Sequence, residues 1–380
     1  MTNPDKWYVG REQTLVKHYL LKDYLAALAN IVGQKYDSIT YVDCFSGPWK
    51  AASEQYEDTS FGIAVSELRK AREQLKSQFA RNVEMRCFFI EKSPGAYQEL
   101  KSFLDRIRQP GFDLQPKNGR FEELIPEIRA FALNRARTFS FFFIDPKGWK
   151  PVAIRTLRPL LKLEHSEVLI NLMTSHLRRF EKTQNLSSLF DSEAYADKLL
   201  GLKGQDLDDE MVGIYSDQLK RVGGYDYVCA AIILRASIDT PHYRLIYGSR
   251  NPLGLAKFKD AEKRAMKKME PARAEAKLRK LEERTSQAEL FAGRETYGSR
   301  FYFELRTRYL VRSERRVMKL LSSHKPLSYD ILWKTALTEP LVFESDLREW
   351  LVSEQRIRVL NLGTERVPKF GKGHTVVMES

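Results

Sequence analysis

Residues 138–149 read TFSFFFIDPKGW and join an apolar run to a turn that carries a charged side chain. The run is short and rich in aromatic residues, so it predicts a buried β-strand rather than a helix. Asp145-Pro146 and Gly148 end the strand, which places an acidic side chain at its carboxyl end. Ligands of open parallel sheets bind at the carboxyl ends of the strands, so this stretch indicates both a fold and a site.

Similar stretches lie on both sides of it. Further strands are predicted at 39–44, 83–92 and 166–173, with a short one before Asn118-Gly119; helices are predicted at 11–32, 60–80 and 152–163, and after Ser93-Pro94 and Asn118-Gly119. Short apolar strands that alternate with helices indicate β-α-β units and a parallel sheet. The strands are almost continuously apolar, which favours a sheet covered on both faces. We therefore predict an α/β, doubly wound Rossmann-like sheet.

The second half of the chain has a different pattern. Residues 174–224 are predicted to be a polar helical insertion, and YDYVCAAIIL and PHYRLIYGS are predicted as two late strands of the same sheet. Residues 257–284 form a charged helical run with eleven Lys or Arg against six Asp or Glu, which is either a nucleic-acid contact or a solvated surface helix. From residue 312, three short helices and a β-hairpin indicate a winged helix-turn-helix domain. We predict domains at 1–256 and 312–380, joined by a basic helix and linker at 257–311.

Composition limits the classes of function. The 380 residues carry a net charge of +13, which favours a polyanionic partner such as a nucleic acid. No apolar run is long enough to span a membrane, and the polar N-terminus does not resemble a signal peptide. The three cysteines are far apart in sequence, which argues against a disulfide framework or a zinc site and favours the cytoplasm.

Candidate binding residues follow the first two strands. Asp43, Phe45 and Gly47 follow the first strand, where a glycine turn lets backbone N–H groups approach a phosphate or carboxylate. Only one glycine is present, whereas nucleotide loops usually have two or three. Glu91 closes the second strand and is placed to bind both hydroxyls of a ribose. The alternative for Glu91 is a solvated residue at a helix start.

The turn after residue 144 is the candidate catalytic site. A carboxylate held rigid by proline can accept hydrogen bonds from an amine, and the nearby Trp149 can stack on a flipped base. The alternative is a strand-ending turn with a core tryptophan. Three strand-end carboxylates could also gather a divalent metal for phosphodiester hydrolysis, but no convincing nuclease signature is present and we predict no metal ligands. Zincin, α/β-hydrolase and P-loop motifs are absent from the sequence. The six histidines are scattered, and we expect most of them to be structural or on the surface.

Five blocks in this order resemble the three-Cys-motif partner (TcmP) proteins: YVDCFSGPW, FFIEKSPGAY, FFFIDPKGW, EVLINLMTSHLRRF and YRLIYGSRNPLGLAKFKDAEKRAMKKM. The resemblance covers roughly residues 15–380. That family resembles class I methyltransferases and tends to carry a C-terminal winged helix. The resemblance implies S-adenosyl-L-methionine as cofactor and a three-Cys-motif protein as a possible partner. The three cysteines of this chain are not that motif, which belongs to the partner.

The resemblance also implies residue roles. Asp43, Phe45 and Gly47 would form the cofactor loop, Glu91 would hold the ribose, and Asn118 to Arg120 would lie near the adenine. Asp145 would accept hydrogen bonds from the target amine, and the Pro146 carbonyl would be a second acceptor.

Three positions depart from the family pattern, of which Ser46 replaces an alanine. Trp49 replaces a glycine and either crowds the cofactor pocket or lies outside it. Lys147 places a cation beside the expected amine, which disfavours a developing positive charge and suits a phosphate contact better.

The C-terminal module gives a second candidate surface. Its third helix, 344–354, carries four acidic residues against one arginine, so phosphates would repel it. The hairpin is basic and includes Arg366, Lys369 and Lys372, which are the candidate nucleic-acid contacts; protein docking is the alternative role.

The sequence thus predicts an S-adenosylmethionine-dependent methyltransferase acting on nucleic acid or a nucleotide base. Two alternatives remain. The first is a catalytically inactive methyltransferase-like protein that binds nucleic acid or a partner protein. The second, in third place, is a metal-dependent nuclease.

Overall fold

A computed structural model describes residues 4–47, 51–180, 186–285, 299–323 and 326–379. Within these ranges, seven strands form one sheet. They are β1 (Ser38–Asp43), β2 (Glu84–Glu91), β3 (Phe112–Asn118), β4 (Thr138–Ile144), β5 (Ser166–Leu172), β6 (Tyr227–Leu234) and β7 (Pro241–Ser249). All seven were predicted as strands, and the observed ends differ from the predicted ones by a few residues.

The sheet order is β3-β2-β1-β4-β5-β7-β6. The first five strands pair in parallel, whereas β7 runs antiparallel to both β5 and β6. The chain order reverses between β1 and β4, which is the switch point of a doubly wound sheet. The predicted Rossmann-like α/β fold is therefore confirmed, and the carboxyl ends of β1 and β4 lie side by side.

Helices cover both faces of this sheet. They are α1 (Glu12–Val32), α2 (Ser60–Phe79), α3 (Pro94–Arg106), α4 (Phe121–Leu133), α5 (Ile154–Leu161), α6 (Thr174–Phe180), α7 (Ser187–Phe190), α8 (Tyr195–Leu199), α9 (Gly204–Gly223) and α10 (Pro252–Thr285). Successive strand residues point to opposite faces, so Tyr41 and Phe141 enter the core beneath α1 and α2, while Val42 and Phe142 enter the core beneath α4 and α5.

Two segments are more deeply packed than their composition suggests. In the predicted insertion, Leu207, Met211 and Leu219 of α9 are buried against the sheet. In α10, Leu255 and Phe258 are buried against α1, although the sequence predicted a solvated or nucleic-acid-binding helix there. The apolar residues of α10 lie on one face of the helix, which packs against the core. This face is hard to recognise in the sequence because many charged residues stand between the apolar ones.

The C-terminal module contains the three predicted helices and both hairpin strands. Its elements are α11 (Ser299–Ser323), β8 (Leu327–Ser328), α12 (Tyr329–Leu337), α13 (Glu344–Ser353), β9 (Ile357–Leu360) and β10 (Thr375–Met378). The last strands form a three-stranded antiparallel sheet, β8-β10-β9, of which the short β8 was not predicted. The predicted domain boundary at residue 312 falls inside α11.

Ion pairs join α11 to the large sheet. Asp209 of α9 accepts hydrogen bonds from Tyr309 at 2.7 Å and Arg312 at 2.8 Å, and it pairs with the buried Arg244 of β7 at 3.3 Å. Arg312 and Arg316 also pair with the buried Glu339, at the end of α12. The C-terminal module is therefore tied to the sheet through Asp209, whose side chain is only 10% exposed.

Candidate functional site

A cleft of about 1160 Å³ opens at the carboxyl ends of β1, β2, β4 and β5. Its wall includes Phe45, Gly47, Glu91, Asp145 and Asn171, and the start of α1 closes one side. The volume exceeds the roughly 300–1,000 Å³ of most small-molecule sites. The cleft therefore has room for a cofactor and part of a second molecule.

The loop after β1 is built around Asp43, which is fully buried and does not reach the cleft wall. Its Oδ1 accepts the backbone N–H of Phe45 at 3.1 Å, and its carbonyl accepts the Ser46 hydroxyl at 2.9 Å. Burial raises the pKa of Asp43 from 3.8 to about 6. Asp43 therefore shapes the loop from beneath, whereas Phe45 and Gly47 line the cleft.

At the end of β2, Glu91 is only 3% exposed and lines the cleft, so it is not a solvated helix-start residue. Its Oε1 accepts the backbone N–H of Ser93, the N-cap residue of α3, at 2.6 Å, whereas the Ser93 side chain makes no capping hydrogen bond. Asn118 is exposed, lies outside the cleft wall and donates to the Glu91 carbonyl at 2.8 Å. Gly119 and Arg120 line the cleft beside it.

At the end of β4, both oxygens of Asp145 have partners. Oδ1 accepts the side-chain N–H of Asn171 at 2.6 Å, and Oδ2 pairs with the ammonium of Lys17 from α1. Pro146 is buried behind the carboxylate. Neither Lys17 nor Asn171 was assigned a role from sequence. Asn171 had a usable signal, because it ends the strand next to β4, but Lys17 is one of many lysines on an amphipathic helix.

The remaining turn residues also reach the cleft. Trp149 is half-buried; it packs against the apolar core, as the alternative predicted, and it also lines the cleft, so its stacking on a base stays a prediction. Lys147 is exposed on the cleft wall. Trp49 lies outside the described residues.

Among the described residues, three histidines line the cleft, which the sequence did not predict: His18, His176 and His242. Burial lowers the pKa of His242 to about 4, with Arg235, His176 and Lys17 adding repulsion. Burial also holds the pKa of His18 well below its ordinary value, and its Nδ1 lies 3.0 Å from the Tyr8 hydroxyl. His18 and His242 are therefore neutral near pH 7. In the described ranges, no three His, Cys, Asp or Glu side chains are grouped so that they could hold a metal ion.

In the C-terminal module, the hairpin carries exposed basic side chains, whereas the first turn of the third helix is bound by other parts of the protein. Arg366 and Lys372 are exposed, whereas Lys369 is half-buried and pairs with Glu365 at 2.5 Å. The first turn of α13 is engaged, since Asp346 pairs with Arg306 at 2.7 Å and Ser345 accepts a hydrogen bond from Lys263 at 3.0 Å.

Comparisons with known proteins give distant structural likenesses. No family model and no curated protein matches this chain. Among solved structures, Trm1 from Pyrococcus horikoshii in complex with S-adenosyl-L-methionine is 11% identical with a TM-score of 0.37, over 69% of this chain and 76% of that one. The cyclopropane synthase MmaA2 from Mycobacterium tuberculosis is 11% identical with a TM-score of 0.25, over 71% and 80%. Loganic acid methyltransferase with SAH is 11% identical with a TM-score of 0.32, over 74% and 92%.

These likenesses are too distant to carry an argument about function. The class of protein rests on the sheet order of this chain, which is that of a Rossmann-like nucleotide-binding fold with an added antiparallel strand. Membership of the TcmP family stays a prediction. In the part of the chain that the structure describes, no helix has the length and apolar character needed to cross a bilayer.

Proposed function

We propose that this protein is an S-adenosyl-L-methionine-dependent methyltransferase that acts on a nucleic acid or a nucleotide base. The observation that carries the proposal is the cleft at the switch point of the sheet. It brings the loop after β1, the Glu91 carboxylate and the Asp145-Pro146 turn onto one wall. These three parts come from separate stretches of sequence, and each has a role in the proposed reaction.

The residues present fit the proposed cofactor. Glu91 is a buried carboxylate at the end of β2, where an acidic residue binds ribose hydroxyls in this class of fold. Phe45 and Gly47 would contact the cofactor from the loop after β1, and Gly119 and Arg120 would lie beside its base. When bound, S-adenosylmethionine supplies an electrophilic methyl group on a positively charged sulfur.

In this proposal, Asp145 is the centre of the reaction. Methyl transfer to an amine needs alignment of the nitrogen with the methyl carbon and stabilisation of the positive charge that develops on nitrogen. The Asp145 carboxylate would accept an N–H of the amine and supply that charge, and the Pro146 carbonyl is a further acceptor in the same turn. Trp149 lines the same cleft and presents a ring on which a base could stack.

Charge supports a nucleic-acid substrate. The chain carries +13 overall, and Lys147 is exposed on the cleft wall. We interpret the C-terminal module as a winged helix that contacts nucleic acid through its hairpin. Arg366 and Lys372 are exposed there, whereas the first turn of the acidic helix α13 is held by Lys263 and Arg306. Recognition helices read bases with that turn, so its engagement disfavours groove reading by α13.

A catalytically inactive binding protein is the alternative, and it would be favoured if the pocket were closed. Lys147 instead lies exposed at the edge of an open cleft, which favours the enzyme. Binding of a three-Cys-motif partner stays a prediction from the family resemblance.

Calorimetric titration with S-adenosylmethionine and S-adenosylhomocysteine tests the proposal. We expect micromolar binding that Glu91→Ala weakens at least tenfold, because each ribose hydrogen bond to a charged acceptor contributes about 1.5–3 kcal/mol. Glu99→Ala is the matched control, since this glutamate is exposed on α3 outside the cleft. No binding of either compound by the folded protein would refute the proposal.

A further inference from the structure

Asn171 is placed beside Asp145 by the register of the sheet. β4 and β5 pair in parallel with Ile144 opposite Ile170, so the next residue of each strand, Asp145 and Asn171, lies at the same edge. The Asn171 amide donates to Asp145 Oδ1 at 2.6 Å. A carboxylate that faces an ammonium accepts hydrogen bonds and does not donate them, so this contact fixes the NH₂ group toward Asp145.

The other end of the amide lacks a partner. Asn171 is 4% exposed, and among the described residues its Oδ1 is buried without a hydrogen-bond donor. A buried acceptor left without a donor costs about 1–3 kcal/mol. Because Asn171 also lines the cleft, a bound molecule that carries an N–H group would satisfy this oxygen.

The contact between Lys17 and Asp145 Oδ2 shows that this carboxylate oxygen accepts an N–H group. Its ammonium, only 11% exposed, sits against Asp145 Oδ2 at the cleft. The Lys17 side chain thus presents an N–H donor to the oxygen that we propose as the acceptor for a substrate amine. A substrate amine would have to replace the Lys17 ammonium at Asp145 Oδ2, and this replacement would also have to give it access to Asn171 Oδ1, which is closed to solvent.

We propose that Asn171 Oδ1, rather than the Pro146 carbonyl, is the second acceptor, so that Asn171 Oδ1 and Asp145 Oδ2 accept the two N–H groups of an exocyclic amine on a nucleobase. Asn171 is then a specificity-determining residue. This inference rests on the proposed function and names its substrate class. With both N–H groups held, the nitrogen lone pair points away from the two acceptors. It forms the bond to the methyl carbon while the carbon–sulfur bond breaks, and the displaced proton passes to Asp145 and then to water.

Nucleobases with an exocyclic amine and nucleobases with a carbonyl oxygen in its place should bind differently to this site. Cytosine and adenine carry an exocyclic amine at the positions where uracil and hypoxanthine present a carbonyl oxygen. A carbonyl would face the oxygens of Asn171 and Asp145 without a hydrogen to share. A site built to hydrogen-bond an N–H group rejects the analogue that lacks it, since its buried acceptors then stay unpaired.

Single-stranded RNA homopolymers of equal length provide matched probes, cytidine against uridine and adenosine against inosine. Each pair has the same backbone charge, so the basic surface contributes equally to both members. Binding is measured by fluorescence anisotropy with the protein alone and with S-adenosylhomocysteine, and methyl transfer is measured separately with radiolabelled cofactor. We expect at least a tenfold preference for the amine-bearing member of each pair.

Asn171→Leu removes the acceptor at similar volume, and Asn171→Ser keeps a donor toward Asp145 while it removes the amide oxygen. Both variants should reduce the preference about tenfold while S-adenosylhomocysteine affinity stays unchanged, because one hydrogen bond contributes about 1 kcal/mol or more. Asn30→Leu on α1, away from the cleft wall, is the control and should keep the preference.

Equal binding or transfer within both pairs, or an undiminished preference in both Asn171 variants, would overturn the inference while S-adenosylhomocysteine binding still upheld the proposed function. Absence of binding and transfer with all four probes would overturn the nucleobase assignment. Failure to bind S-adenosylhomocysteine would remove the proposed function, and this inference with it.

Discussion

Two carboxylates of this protein contact the same helix, and they differ in almost every other respect. Lys17 and Tyr24 lie two turns apart on α1, on one face of the helix. Lys17 pairs with Asp145 at the carboxyl end of β4, and the Tyr24 hydroxyl donates to Glu167 near the start of β5. One helix therefore holds one acidic group at the open cleft and another inside the core.

The two carboxylates are compensated in different ways. Asp145 faces an ammonium and keeps 17% of its side chain exposed. Glu167 faces hydroxyl groups: Tyr24 donates to one oxygen, Ser249 donates to the other at 2.7 Å, and Tyr247 adjoins Tyr24. Burial raises the pKa of the Glu167 carboxyl. Glu167 therefore belongs to a buried cluster of neutral donors, whereas Asp145 is paired with a cation at the cleft, where we propose that a substrate amine replaces it.

The largest expected effect concerns Asp145, the carboxylate at the cleft. Asp145→Ala should lower the rate of methyl transfer about a thousandfold, because the acceptor of the amine and its compensating charge are lost together. The melting temperature should fall, because Lys17 and Asn171 lose a partner that is only 17% exposed, so circular dichroism is needed to show that the variant is folded at the assay temperature. Transfer that persists in this variant would show that Asp145 is not at the reacting centre.

The second-largest expected effect concerns Glu167, the carboxylate buried in the core. Glu167→Ala should lower the free energy of unfolding by about 4 kcal/mol, because it leaves a cavity and removes the acceptor of two buried hydroxyls. Chemical denaturation measures this loss. Affinity for S-adenosylhomocysteine in the folded fraction should be unchanged, and a selective loss of that affinity would instead place Glu167 in the site.

Asp43 sharpens the comparison because it is near the cleft yet sealed like Glu167. Its pKa of about 6 lies above the ordinary 3.8, so the folded state holds the proton more tightly than the unfolded state. Its contribution to stability is full below about pH 4 and is lost as pH rises through 6, with a total of about 3 kcal/mol. Denaturation of wild type and Asp43→Asn from pH 4 to 8 measures the difference, and parallel pH profiles would contradict the assignment.

The smallest expected effect concerns the packing around Glu167. A methyl group on Gly254 would lie 2.6 Å from both Glu167 Oε1 and Ser249 Oγ, so Gly254→Ala should destabilise the protein by about 1–3 kcal/mol. Gly213→Ala is the matched control: this helical glycine of α9 has open space around it, and alanine there should stabilise by about 0.5–1 kcal/mol. Equal melting temperatures for the two variants would show that the side chains around Glu167 can move to accommodate a methyl group without a loss of stability.

Much of the candidate site could be predicted from sequence because strand ends are visible there. Apolar runs end at Asp43, Glu91 and Asp145, and a parallel sheet brings such ends to one edge. The different positions of these three carboxylates could not be predicted, because they depend on how deeply each side chain is buried relative to the cleft. Asp43 lies beneath its loop, Glu91 caps a helix from the cleft wall, and Asp145 meets an ammonium from a helix more than a hundred residues away.

By itself, the sequence determined the alternation of strands and helices, and with it the Rossmann-like class and the edge of the sheet at which the cleft opens. Local hydrophobic periodicity and turn residues carry that information, because they act within a few residues of one another. Only the tertiary structure decided that Lys17 and Asn171 meet at Asp145, that three histidines line the cleft and that α10 is buried on one face. Those contacts join distant parts of the chain, and their geometry follows from packing that no local pattern encodes.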